Sequence, residues 1–218
     1  MPAPPLLLQD QAGFEAAFAA LLRLDPRLVP LAARTGCPAL RRRPPGFEGL
    51  VAIVVAQQLS VAAARAIAAR LEQALGGPAS RDRLRAAAPE QLRAAGLSTP
   101  KIRTLKGIVQ MLDAGAVDLC GLHALPMEAA THQLMRLPGI GRWSADLYLL
   151  FCLGRADAFP AGDLALQVAL GDGFALGGRC TQEGLLAIAE DWRPLRGVAA
   201  HLLWAYYAVR RSRLGAPA

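Results

Sequence analysis

The sequence predicts an all-α protein of about ten helices, arranged as two helical lobes with a cleft between them. Nothing in the chain alternates apolar and polar residues with period two over the length of a strand. Nearly every segment is also opened or closed by a residue type that punctuates helices. A third observation sets the scale: 218 residues, 54% of them hydrophobic, suffice for one large core or two lobes sharing elements. Residues 1–218 are expected to form one domain in which the N-terminal helices pack with the C-terminal ones.

The elements follow in order. Asp25 before Pro26 reads as an N-cap with proline at the first helical position, and Gly36 closes that short helix. RRRPPG, residues 41–46, then breaks the chain. GFEGLVAIVVAQQLS, from Gly46, is apolar on nearly all sides through Val55, which predicts a buried central helix beginning near Phe47. Ser60 can cap the next helix, VAAARAIAARLEQAL, which Gly76 and Gly77 terminate. Pro89, Ser98 with Pro100, and Pro126 each open a further helix, with Gly96 and Gly115 as stops, and Thr181 and Pro194 open two more.

Composition limits function only loosely. The net charge is +7, and of 24 basic residues only Lys101 and Lys106 are lysines. Such a balance attracts polyanions, nucleic acid first among them, and arginine suits phosphate. A GC-rich genome produces the same arginine bias without any function. The four cysteines, at 37, 120, 152 and 180, have neither metal-ligand nor redox spacing, which predicts reduced thiols. No apolar run approaches the ~18 residues of a membrane span, and MPAPPLLLQD lacks the basic start of a secretion signal. A cytoplasmic protein that does not engage membranes is expected.

The most informative stretch is LMRLPGIGRWSADLYLL, residues 134–150. A helix ends near Met135, a tight L-P-G-I-G turn follows, and a new helix starts at Arg142. Gly139 and Gly141 permit positive φ and leave the backbone N–H groups uncovered, so the turn and the helix start form an anion site that suits a phosphate. On its own, G-x-G also fits an ordinary helix connection.

LPGIGRWSA resembles the helix-hairpin-helix motif of the DNA glycosylase superfamily in which this hairpin precedes a Gly/Pro-rich loop and an aspartate. AFPAGDLALQ, residues 158–167, resembles that loop and places Asp163 on the aspartate position, twenty residues beyond Trp143. VVAQQLSVAAA resembles the junction that presents a residue to DNA, GLSTPKIRTLKGI the segment leading to the hairpin, and WRPLRGVAAHLLW the C-terminal helix. The likeness covers residues 25–210 and is greatest to the DNA-3-methyladenine glycosylase II (AlkA-like) type, without that type's N-terminal β domain.

The resemblance implies a monofunctional glycosylase that flips out alkylated purines such as 3-methyladenine from double-stranded DNA and starts base excision repair. Members that also cut the backbone use a lysine directly after G-x-G-R; here Trp143 stands there and cannot form the imine. Asp163 becomes the catalytic carboxylate, stabilising an oxocarbenium-like sugar. Read alone, Gly-Asp before LALQVAL is a helix N-cap, and both roles are compatible, since a capping aspartate is held rigid against N–H groups that favour an anion. Trp143 and Trp204 match aromatic positions of the base pocket, the family's second aromatic position falls on Leu147, and Tyr148 lies nearby. Core packing is the competing role for any of these rings, and Trp192 fits it.

The position inserted into the duplex falls on Gln58, which otherwise reads as a polar helix terminus. Leu137, Gly139, Ile140, Gly141 and Arg142 form the DNA-binding hairpin, with Arg136 a further phosphate neighbour. Backbone carbonyls of Met135, Leu137 and Ile140 are the candidate ligands of a structural monovalent cation; no other cofactor and no iron-sulfur cluster are expected. The chain is expected to be a monomer associated with the bacterial nucleoid. Two alternatives remain: a non-enzymatic helix-hairpin-helix DNA-binding module, and a glycosylase for deaminated or oxidised bases.

Overall fold

The computed structural model describes residues 5–214, and these contain twelve α-helices and no strand beyond one isolated bridge between Leu7 and Arg155. Helix α1 (Gln11–Leu24) starts where the Asp10 side chain accepts the Gly13 N–H at 2.8 Å. Asp25 caps a 3₁₀ turn, Pro26–Leu28, that runs into α2 (Val29–Thr35). Helix α3 (Phe47–Ala56) buries Leu50, Val51, Ile53, Val54 and Val55, as its apolar circumference requires. Ser60 caps α4 (Val61–Leu75), whose surface is mostly exposed alanine and arginine, with Leu71 buried.

Helices α5 (Arg81–Ala86) and α6 (Pro89–Ala94) are six residues each, too short to display a helical period, and α5 was not foreseen. Then come α7 (Thr99–Asp113), α8 (Met127–Met135) and α9 (Arg142–Leu147), which passes into a π-helical turn at Tyr148–Cys152. Ser98 occupies the cap position of α7 but makes no side-chain cap bond. Helix α10 (Leu164–Gly173) starts at Asp163, α11 (Gln182–Ala189) at Thr181, and α12 spans Arg196–Leu214, two residues later than Pro194 had suggested.

Two compact units result. The first comprises the residues up to Arg42 and those from Gly154 onward, with α2 and α10 packed on α12. At its centre Trp192 is fully buried; its indole N–H donates to Asp25 Oδ2 at 2.7 Å, and the Phe159 and Phe174 rings meet it near perpendicular. Asp25 is only 4% exposed. Burial pushes its carboxyl pKa up, but bonds from Arg27 and Trp192 outweigh that and hold it below the ordinary carboxylate value. Trp192 is therefore a core residue.

The second unit, Arg43–Leu153, is built around α3, which packs on α4, α7 and the helical segment containing α9. Leu50, Leu105, Ile108, Leu134 and Leu149 are fully buried in it. Lysine is used here for a structural purpose. Lys101 Nζ donates to the carbonyls of Val55 and Gln57 at 2.7 and 2.8 Å, where α3 ends, and Lys106 Nζ donates to those of Leu84, Arg85 and Ala87, where α5 ends. Carbonyls at helix C-termini have no partner within the helix, and a cation there also opposes the negative end of the helix dipole.

Candidate functional site

The hairpin lies in the second unit between α8 and α9. Leu137 and Ile140 are buried and anchor it, while Gly139 and Gly141 are exposed. The Ile140 N–H closes the turn on the Leu137 carbonyl at 3.2 Å. Gly139 has φ +70°, the left-handed region, and a Cβ there would stand 2.7 Å from Thr104 Oγ1 on α7, so glycine is required twice over. Gly141 corrects the reading of the sequence. Its φ is −91°, available to any residue, and a Cβ there would meet nothing within 4 Å. What the missing side chain leaves is open space at the N-terminus of α9, which has no side-chain cap. Such a helix start can accept an anion from outside.

Sequence reasoning missed the supports of this turn. Gln57 Nε2 donates to the Gly139 carbonyl at 3.0 Å and to Ser144 Oγ at 2.9 Å, tying the end of α3 to both sides of the hairpin. Lys101 fixes the same corner through the Gln57 carbonyl. The rarity of lysine in the chain was the one signal that pointed there. Gln58, next along, is exposed and has φ +57°, an unusual backbone state for a residue with a side chain. The strained residue thus sits, exposed, beside a braced corner.

Arg142 needs a second correction. Its guanidinium is held by Asp146 at 3.1 Å and by both carboxylate oxygens of Glu128 at 3.1 Å. Burial would lower its pKa, but the two carboxylates outweigh that and raise it. Two anions therefore meet the charge that the sequence reading assigned to phosphate, and Arg142 joins α9 to α8. Arg136, exposed, donates to the neutral Gln133 side chain at 2.9 Å and keeps its positive field beside the turn.

Of the base-pocket candidates in this unit, Trp143 is half-buried and Leu147 is 7% exposed. Tyr148 is fully buried; its hydroxyl accepts the Gly46 N–H at 2.9 Å, bracing the loop before α3. Burial pushes its phenol pKa well above the ordinary value. Tyr148 is thus a packing residue and not a stacking surface, because its ring is fully buried and its hydroxyl is taken by Gly46.

In the first unit, Asp163 is the N-cap of α10. Its Oδ1 accepts the Ala165 N–H at 2.9 Å and the Leu166 N–H at 3.4 Å, and the residue is half-buried. Gln167, one turn on, donates to the Ala161 carbonyl at 2.9 Å and pins the preceding loop. Trp204, on α12, is 9% exposed, with the His201 ring edge-on to it at 5.9 Å. His201 is buried, which pushes its pKa down to about 4.

A glycine turn ahead of an uncapped helix start thus lies in one unit, and a carboxylate fixed at a helix start in the other. The chain belongs to the HhH-GPD superfamily of base excision DNA repair proteins, whose pattern matches residues 51–194. It is similar to the probable bifunctional transcriptional activator/DNA repair enzyme AlkA of Mycobacterium tuberculosis, 33% identical over 200 residues, 84% of this chain and 38% of that protein. The chain thus spans less than half the length of that relative. Two solved structures are also similar. The DNA-3-methyladenine glycosidase of Bacillus halodurans has a TM-score of 0.77 and 29% identity over 90% of this chain and 91% of that one. The 3-methyladenine DNA glycosylase of Schizosaccharomyces pombe, in complex with abasic DNA, has 0.76 and 29% over 87% and 95%.

Among the described residues no group of three or more His, Cys, Asp or Glu side chains is placed to hold a metal, and no helix is long and apolar enough to cross a membrane.

Proposed function

We propose that this chain is a monofunctional DNA glycosylase that binds an alkylated purine, such as 3-methyladenine, rotated out of double-stranded DNA, and hydrolyses its N-glycosidic bond. The observation that carries this reading is the fixation of Asp163: both helix N–H bonds fall on one oxygen, so the carboxylate is oriented before any substrate arrives. Preorganised charge is what a developing cation needs. An N3- or N7-alkylated purine nucleotide is already cationic, so its base departs readily with the bonding electron pair. The remaining task is to stabilise the positive charge that grows on the sugar and to receive water at C1′, whose lost proton completes the hydrolysis.

The other residues have supporting roles in this reading. The Gly139–Arg142 turn holds a phosphate through backbone N–H groups, Gln58 enters the gap left by the rotated nucleotide, and Trp143, Leu147 and Trp204 meet the base. The names of the relatives support the alkylated-base class, and Trp143 at the lysine position supports hydrolysis without strand cleavage. The carbonyls of Met135, at the end of α8, and of Leu137 and Ile140 in the turn that follows hold a monovalent cation that stiffens the turn, the Leu137 oxygen also accepting the Ile140 N–H. The protein acts as a monomer on chromosomal DNA in the cytoplasm.

Asp163→Asn tests the reading, since asparagine caps helices about as well as aspartate. Methylated DNA is incubated with each protein and released bases are separated by chromatography. Loss of alkylpurine release with retained duplex binding is the expected result. Equal release by both proteins overturns the catalytic assignment, and no release by either leaves a DNA-binding module.

A further inference from the structure

The face of Trp204 is already in contact with a cation. The guanidinium carbon of Arg41 lies 5.4 Å from the centre of the Trp204 ring, although the two residues are far apart in sequence. Two further contacts fix this arrangement. The Arg41 backbone N–H donates to His201 Nε2 at 3.3 Å, while His201 Nδ1 donates to the Gly197 carbonyl at 2.7 Å, which assigns the neutral imidazole with its proton on Nδ1. The His201 ring in turn meets Phe14 at 5.0 Å and stands edge-on to Trp204. Backbone, imidazole and indole therefore hold Arg41 as one assembly, and its neighbour Arg42 is tied to the Leu8 carbonyl at 2.6 Å.

We propose that Arg41 is a specificity-determining residue that narrows the advantage of cationic purines at the base site, so that neutral alkylation products such as 1,N6-ethenoadenine are bound relatively better than a bare Trp204 face would bind them. This rests on the reading above that Trp204 meets the rotated base. An aromatic ring attracts a cation through the negative potential of its face, and one face accommodates one cation well. A cationic base must either displace the guanidinium or lie beside it against like-charge repulsion. A neutral purine meets no such repulsion and can stack on the guanidinium plane, which arginine offers and lysine does not. Displacement alone would penalise both classes equally; the charge term separates them.

The test compares duplexes carrying 7-methylguanine or 1,N6-ethenoadenine, each on a 2′-fluorinated sugar that resists cleavage for affinity and on an ordinary sugar for single-turnover release. Wild type, Arg41→Ala and Arg41→Gln are measured. Removing a positive charge weakens binding to all DNA alike, so the readout is the ratio of cationic to neutral lesion affinity. That ratio is expected to rise about 10-fold in both variants. A ratio unchanged within about twofold, or one that falls, overturns the role of Arg41. If the ratio rises but even wild type releases neither base from ordinary sugars, the Arg41 proposal stands and the catalytic reading of Asp163 fails.

Discussion

Helices α9 and α10 both follow a glycine-containing turn, yet their entrances are finished in opposite ways. At α10 the chain supplies its own anion: Asp163 Oδ1 takes the Ala165 and Leu166 N–H groups. At α9 the cap is Gly141, with no side chain to offer and open space where one would stand. The positive end of a helix can be answered from within or reserved for something outside. A helix start that answers itself holds a charged group in a fixed orientation, and one that does not is a docking point.

The largest expected effect is at α10. Asp163→Asn keeps the cap and removes the charge, so release of alkylated purine should fall at least ~100-fold while stability changes by less than ~0.5 kcal/mol. A thermal melt alongside the release assay checks both halves. Acid would obscure this comparison through His201. Its folded pKa, about 4, lies below the unfolded 6.5, so the unfolded chain takes up the proton first. The stabilisation is complete above pH 6.5 and is lost as pH falls towards 4, on the order of 3 kcal/mol in all, visible as a falling denaturant midpoint.

At the α9 turn the two glycines should behave differently. Gly139→Ala forces a side chain into left-handed backbone and onto Thr104, and is expected to cost about 2 kcal/mol in urea unfolding, with weaker duplex binding following from the distorted turn. Gly141→Ala meets no strain and no neighbour, so stability should hold within ~0.5 kcal/mol while duplex affinity drops about 10-fold, because the new methyl group blocks approach to the helix start. Unchanged affinity in Gly141→Ala would remove the docking role from the α9 entrance.

Both entrances could be read in the sequence because their signals are local: Gly-Asp before an apolar run, and L-P-G-I-G between two helical patterns. What surrounds them could not. Gln57 and Gln58 are identical neighbours, and only the reversal of backbone direction at φ +57° decides that one braces the hairpin and the other is presented outward. Arg142 was assigned to DNA because its partner Glu128 lies on the preceding helix, beyond the reach of any periodicity. Tyr148 was read as a pocket aromatic from its position beside Leu147, but the π turn carries its hydroxyl to Gly46. The Arg41–Trp204 contact depends on the tertiary fold and leaves no mark on the sequence.

The two lysines have a practical consequence for chemistry done on this protein. Nearly every cation in the chain is a guanidinium, which ordinary acylating and reductive-alkylating reagents leave alone. The two side-chain amines donate into converging carbonyls at helix ends, a fan that a compact ammonium matches and a flat guanidinium does not. Amine-directed labels, crosslinkers and surface couplings will therefore find few side-chain targets on the folded chain, and those they reach will loosen the corners that hold α3 and α5.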